Sequence, residues 1–293
     1  MKKKKRSKYS DSVVGYAFIS PQLLLFLIFI IYPLLEGIRL SFYEVTNTRK
    51  YWVGLGNYAD ILKSELFHKA LWNTVLLVFW VTLFSVCLGF LISAVISAKR
   101  SWFITFIRGA YYLPTIMSMM VLSQIWRWML SPSMGIANYL LESAGLAPVN
   151  FLGDTRYVLP LIIFMACMIS VGQAVIIYSA AMLGVDMAIY EAADIDGAGK
   201  WQKMFLITRP LVSDTTGYLI VINIITAMRL FVVIDMMTAG GPYYASTNLM
   251  YLLYSAAFKA FDSGYASAIG VIMFIFVIIC SVFYVRSIRR TRV

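Results

Sequence analysis

The chain is short of the residues that most chemistry needs. Its 293 residues include one histidine and three cysteines, and only 13% are charged, while 61% are hydrophobic. Soluble domains carry about a quarter of charged residues and about half of apolar ones, so an ordinary soluble domain is excluded. Cys87, Cys167 and Cys280 all fall in apolar runs without close spacing. They read as buried, inert thiols rather than as a disulfide or metal framework. His68 falls in an expected external loop with no partner visible in sequence, and reads as a solvated loop residue. No nucleophile–base set or metal cluster is visible, so no catalytic or metal site is expected and a membrane enzyme is disfavoured. No Gly-x4-Gly-Lys-Ser/Thr loop exists to cradle ATP phosphates, so no cofactor is expected in the chain itself. The net charge is +11, yet no basic stripe carries interleaved aromatics, and nucleic acid is not an expected partner.

What is present is a series of long apolar runs, and a helix needs about 20 mainly apolar residues to cross a bilayer. Six segments qualify: Val14–Ile38, Trp72–Ile96, Trp102–Ile125, Val158–Met182, Gly217–Met237 and Ala266–Val285. Pro21, Pro33, Pro114 and Pro160 lie in three of them and can kink a span without ending it. The first has no small-residue cleavage site behind it and reads as an uncleaved anchor. An all-α membrane protein of six spans is expected. Its parts are a basic start (1–13), one transmembrane domain (14–286) with a special loop at about 184–212, and a basic tail (287–293).

Lys and Arg set the orientation. With the N-terminus cytoplasmic, the inside receives Lys2, Lys3, Lys4, Lys5, Arg6, Lys8, Lys99, Arg100, Arg108, Lys200, Lys203, Arg209, Arg286, Arg289, Arg290 and Arg292. The outside receives half as many: Arg39, Arg49, Lys50, Lys63, Lys69, Arg127, Arg156 and Lys259. Both termini and the loop around Glu191 are therefore expected in the cytoplasm. The outer loops Tyr51–Ala70, Ser131–Arg156 and Gly240-Gly241-Pro242 carry turn residues.

The loop between the fourth and fifth spans has chemistry of its own. Asp186 is placed to cap a helix from about Met187 to Asp196. Gly197 stands where that helix ends and the backbone needs positive φ. Ala192 and Ala193 leave a thin surface that another backbone can approach. Lys200, Trp201 and Phe205 continue as a second short helix stopped near Pro210. An interfacial helix packed on its own bundle would favour basic residues. Here Asp186, Glu191, Asp194 and Asp196 precede the first lysine, and the acidic elbow, lying parallel to the membrane, reads as a docking surface for a protein.

The loop also follows a longer pattern. Glu191-Ala192-Ala193 is followed by three residues, Gly197, nine residues, Ile207, two further positions and Pro210. This resembles the Glu-Ala-Ala loop of permease subunits in bacterial ABC importers. The resemblance implies that Glu191, Ala192, Ala193, Asp196, Gly197, Ala198, Trp201 and Pro210 form a coupling helix and its flank, seated in a groove on an ATPase. Arg209 stands where that family usually has Leu, and at a membrane boundary it can snorkel. Trp52–Tyr58, Tyr112-Leu113-Pro114, Trp126-Arg127-Trp128, Trp201-Gln202 and Gly240-Gly241-Pro242 look like the carbohydrate-importer branch. Within it, the chain is similar to the first of two non-identical permeases of the maltose and glycerol-phosphate type. That likeness implies the type I importer permease fold in a bacterial cell membrane. It also implies a second permease to complete the pore, two ATPase subunits that bind the ATP, an extracellular solute-binding protein, and alternating access driven through the elbow.

Polar groups at membrane depth usually face an interior path. Spans four and five hold Ser170, Gln173, Asn223, Thr226, Arg229 and Asp235. In related sugar permeases the sugar site is built from these parts of the corresponding spans. Hydroxyls and amides suit sugar hydroxyls, and they suit interhelical hydrogen bonds equally. Arg229 has three readings: a pair with Asp235, a contact to a partner subunit, or a site for the anion of a sugar acid or phosphorylated polyol. Met168 stands where the family often has a stacking Trp. Glu36 is expected at the outer interface, paired with Arg39. The alternatives are a secondary transporter or channel needing no ATPase, against which the acidic elbow and the missing broken inverted repeat count, and an importer of amino acids, metals or polyamines.

Overall fold

The computed structural model describes residues 8–46, 49–97 and 102–291. Lys2, Lys3, Lys4, Lys5, Arg6, Lys99, Arg100 and Arg292, counted above for orientation, lie outside the described residues. Helices dominate because an apolar run in lipid must satisfy its backbone groups internally. α1 (Lys8–Phe26) passes through a π turn, Leu27–Ile31, into α2 (Tyr32–Leu40). A hairpin of β1 (Tyr43–Thr46) and β2 (Arg49–Trp52) pairs Tyr43 with Trp52. Next come α3 (Gly56–Lys63) and α4 (Glu65–Ser97).

α4 begins earlier than the hydropathy suggested, because Glu65–Leu71 extends the apolar helix by about two turns. His68 is consequently not a loop residue. It sits on the first turn of α4, exposed, with Nδ1 2.8 Å from the Ser64 carbonyl oxygen. The expected third span arrives in two pieces, α5 (Trp102–Ile116) and α6 (Met119–Met129). Pro114 withholds an N–H near the end of α5, and Ser118 is extended with ψ 134°. α7 (Ile136–Ser143) lies in the following connection, and α8 (Val158–Leu183) matches the fourth span.

The fifth span differs most from expectation. α9 (Met187–Ile195) is followed by α10 (Lys200–Gln202), a second π turn (Lys203–Thr208) and α11 (Arg209–Leu211). The helical arm Lys200–Leu211 runs through Pro210 and bends by 69° at Val212 into α12 (Ser213–Met228). α12 ends at Arg229, and α13 (Val232–Met237) resumes after the break. α14 (Leu249–Tyr254), a third π turn (Ser255–Lys259) and α15 (Ser263–Thr291) complete the chain. Two of the π turns stand just before Pro33 and Pro210. A proline ring presses on the carbonyl four residues back, here Phe29 or Leu206, and the widened turn accommodates it.

Among the described residues, Gly15–Leu40, Glu65–Ile96, Val158–Leu183 and Ser263–Val282 are each long and apolar enough to cross a membrane. The bent pair around Val212 makes a fifth, and α5 with α6 occupies the place of the remaining expected span. α8 is the axis of the bundle: 56% of its apolar window is buried, against none of Gly15–Leu40. In lipid, helices associate through small residues and interhelical hydrogen bonds. A Cβ on Gly172 would overlap the Tyr111 carbonyl of α5, and one on Gly89 of α4 would lie 2.6 Å from Ala174. Ser85 Oγ and Ser93 Oγ donate to the α8 carbonyls of Ser170 and Val175 at 3.0 and 2.8 Å, and Thr115 Oγ1 donates to Ile169 at 3.1 Å.

Candidate functional site

The loop around Glu191 folds as its residues dictate. Asp186 caps α9, its carboxylate accepting the Ala188 N–H at 3.0 Å. Gly197 has φ 77° and closes the helix as a Schellman turn. The Gly197 N–H reaches the Asp194 carbonyl at 3.1 Å, and the Ala198 N–H reaches that of Ala193 at 2.9 Å. Gln202 Oε1 accepts the Gly199 N–H at 2.7 Å and starts the next helix. Glu191, Ala192, Asp196, Gly197, Trp201 and Pro210 are exposed, and Ala198 is half-buried. Ala193 departs from the expected thin outer surface: it is buried, turned inward by the helical 100° step. Ile195 is 88% exposed and Trp201 69% exposed, so large apolar side chains stand beside the acidic ones. Trp201 stacks on Phe205, Phe205 meets Phe90 of α4, and Phe90 packs edge-on to the buried Tyr178 of α8.

The mid-membrane polar residues do not form one cluster. Asn223 is buried and its Nδ2 donates to Ser85 Oγ at 3.0 Å and to Leu219 O at 2.8 Å, tying α12 to α4. With Ser85 also bonded to Ser170, these three residues share one depth near the middle of α4 and α8. Ser170 and Thr226 line a cavity of about 10 Å³ with Met119, Ala166 and Leu230, about the room of one water molecule. Gln173 is half-buried on α8. Arg229 caps α12 at the break, six residues or about 9 Å outward from Asn223 at 1.5 Å per residue. Its side chain is exposed and has no ion pair or hydrogen bond among the described residues. Asp235 does not pair with it, since six residues is a poor facing distance. Asp235 instead meets Lys259, 3.6 Å away, whose Nζ donates to Tyr251 Oη at 2.8 Å. That hydroxyl holds the Lys259 pKa above its ordinary value. Glu36 does pair with Arg39, bidentately at 2.7 and 2.8 Å, with Lys50 at 3.9 Å.

Sequence reasoning marked the turn residues Gly240-Gly241-Pro242 but missed the network that follows them, where Ser246, Thr247 and Asn248 are buried. Asn73 Nδ2 donates to the carbonyls of Ala245 and Thr247 at 3.1 and 2.8 Å, and Asn248 Nδ2 donates to Leu230 at 2.9 Å. The run of Ser, Thr and Asn after Gly240-Gly241-Pro242 was the available signal, since such residues bond their own turns.

A family model for the binding-protein-dependent transport system inner membrane component matches residues 16–293. The chain belongs to that family. As such it is a multi-pass membrane permease subunit of a binding-protein-dependent importer. It is 31% identical to the probable ABC transporter permease protein YurN of Bacillus subtilis (strain 168), over 95% of this chain and 97% of the relative. It is 28% identical to the arabinooligosaccharides transport system permease protein AraP of the same strain, over 93% and 88%. A crystal structure of a bacterial alginate ABC transporter, in complex with an alginate pentasaccharide-bound periplasmic protein, contains a similar chain. That chain superposes with a TM-score of 0.86 at 26% identity, covering 96% of both.

Proposed function

We propose that this permease forms half of the pore of an oligosaccharide importer and takes its sugar from an extracellular binding protein. A second, related permease completes the pore, and two ATPase subunits bind and hydrolyse ATP. The chain itself holds no cofactor and performs no catalysis. Both termini and the α9 elbow face the cytoplasm. The observation that carries this reading is the elbow: Glu191, Ile195 and Asp196 stand outside the bundle on a helix fixed by a cap and a Schellman turn, and Trp201 stands exposed on the short helix that follows. An exposed patch of that kind marks a protein contact, and Asp196, Gly197, Ala198 and Pro210 keep its shape. The names of relatives favour sugar as the cargo: AraP is named for arabinooligosaccharides, and the structural neighbour carries alginate.

Arg229 favours a second reading, in which the sugar is anionic. An unpaired guanidinium about 9 Å from the middle of the bundle is expensive unless it faces water, a partner or a charged ligand. Alginate, the cargo named for the structural neighbour, is an acidic polysaccharide. Ser170, Gln173, Thr226 and Arg229 remain the candidate lining of the path, with Asn223 and Asp235 holding the helices around it. The test is a panel of neutral oligosaccharides, uronates and sugar phosphates bound to the cognate binding protein, followed by ATPase stimulation of the reconstituted complex. Stimulation by an oligosaccharide supports the proposal, and stimulation restricted to amino acids, metals or polyamines contradicts it.

A further inference from the structure

Among the described residues, the side-chain hydrogen bonds that α9 makes beyond its own cap end on a single turn. Tyr190 Oη lies 3.0 Å from Thr208 Oγ1, and Lys203 Nζ lies 2.5 Å from Asp194 Oδ1. Lys203 and Thr208 are the first and last residues of the second π turn. Thr208 Oγ1 donates to the Lys203 carbonyl at 3.1 Å, which leaves its oxygen to accept the Tyr190 proton. The four residues therefore close a ring across two helices.

The spacing explains why a π turn is needed there. Tyr190 and Asp194 are four apart and share one face of α9. Residues five apart on an α-helix point about 140° away from each other. The i→i+5 register of a π turn stacks them instead, so Lys203 and Thr208 meet the two α9 side chains together. Thr208 is buried, so its bond to Tyr190 is the stronger leg. Asp194 is largely exposed, so the ion pair is the weaker leg and is screened by salt.

We infer that Tyr190, Asp194, Lys203 and Thr208 are positioning residues that clamp the docking helix to the inner arm Lys200–Leu211. The clamp makes α9 and that arm one rigid body, and the 69° bend at Val212 is its joint to α12. A push on the docking helix then reaches the fifth span, the one that carries the Arg229 break. This inference rests on the docking reading above and assigns the residues through which the push passes.

The test uses the full complex, with both permeases and both ATPase subunits, in proteoliposomes with sugar-loaded binding protein. Uptake per ATP hydrolysed is measured for Tyr190→Phe and Thr208→Val, with Thr208→Ser as the conservative control. The clamp predicts that the ATPase subunits stay bound while uptake per ATP falls roughly fivefold, a typical size for a coupling change, and that Thr208→Ser restores it. It also predicts a smaller, salt-sensitive loss for Asp194→Lys, reversed by adding Lys203→Asp. Wild-type uptake per ATP in Tyr190→Phe and Thr208→Val overturns the clamp. Glu191→Lys separates the two levels. If it uncouples while the clamp variants do not, only the clamp fails; if it leaves coupling intact, the docking reading fails and the clamp with it.

Discussion

Where the chain turns at Gly197, Ile195 and Trp201 stand clear of the bundle; where it turns at Gly240–Thr247, the bundle encloses Ala245, Ser246 and Thr247, while Tyr243 and Tyr244 stay exposed. Both turns use positive φ, at Gly197 on one side and at Ala239, Gly240, Tyr243 and Tyr244 on the other. The outer turn pins that backbone with a network that is buried at Thr247 and reaches the surface at Lys69. Thr247 Oγ1 donates to Gly240, Ser246 Oγ to Gly241, and Lys69 Nζ to Tyr243, at 3.0, 2.7 and 2.6 Å. The elbow has a helix cap, a Schellman turn and the clamp, and leaves Ile195 and Trp201 uncovered. Polar groups buried with partners rigidify a structure, whereas uncovered apolar side chains await a partner. The outer turn holds its own shape through Ser246, Thr247 and Asn248, and under the proposed function the elbow is completed by another protein.

The largest effect should come from breaking the elbow without disturbing the fold. Gly197→Asp puts a Cβ and a charge at φ 77° in open space, a strain of about 1 kcal/mol that the bundle tolerates. Uptake is expected to vanish while the amount of inserted subunit stays normal, as read by transport assay beside membrane immunoblot. The outer turn should respond in the opposite way. Asn73→Leu leaves the Ala245 and Thr247 carbonyls without that amide, at a cost of about 1–3 kcal/mol, visible as a lower unfolding temperature in detergent.

These two turns also differ in how far the sequence disclosed them. The elbow was legible because its signals are local: a capping Asp186, a Gly197 eleven positions later, and acids ahead of the first lysine. The outer network was not, because Asn73 and Thr247 lie far apart in sequence, and hydropathy says nothing about which amide meets which carbonyl. The same limit explains the spans. Periodicity found the apolar runs, but the bend at Val212 and the breaks at Ser118 and Arg229 depend on packing and on prolines upstream. Pro210 seemed to end a helix that a π turn allows to continue. The clamp was hidden for that reason too, since only the π register brings Lys203 and Thr208 to one side.

Smaller effects sharpen the contrast between surfaces that wait for a partner and surfaces that are complete. Arg229→Ala should weaken uptake of uronate oligosaccharides about tenfold more than that of neutral ones, the worth of a charge-assisted hydrogen bond. Equal loss for both classes would make Arg229 structural. Lys259→Met should do least. Lys259 is half exposed and Asp235 mostly buried; a long pair open to solvent on one side is worth about 1 kcal/mol, so the unfolding temperature should change little.

The docking claim is tested most directly by crosslinking. Ile195→Cys places a thiol on the most exposed apolar position of the elbow, and Phe18→Cys on α1 serves as a control on an exposed face at the other end of the chain. In membranes containing the assembled complex, a short bifunctional reagent should join the Ile195→Cys subunit to the ATPase subunit and leave the Phe18→Cys subunit unjoined. Failure of Ile195→Cys to crosslink in a complex that still transports would contradict the account.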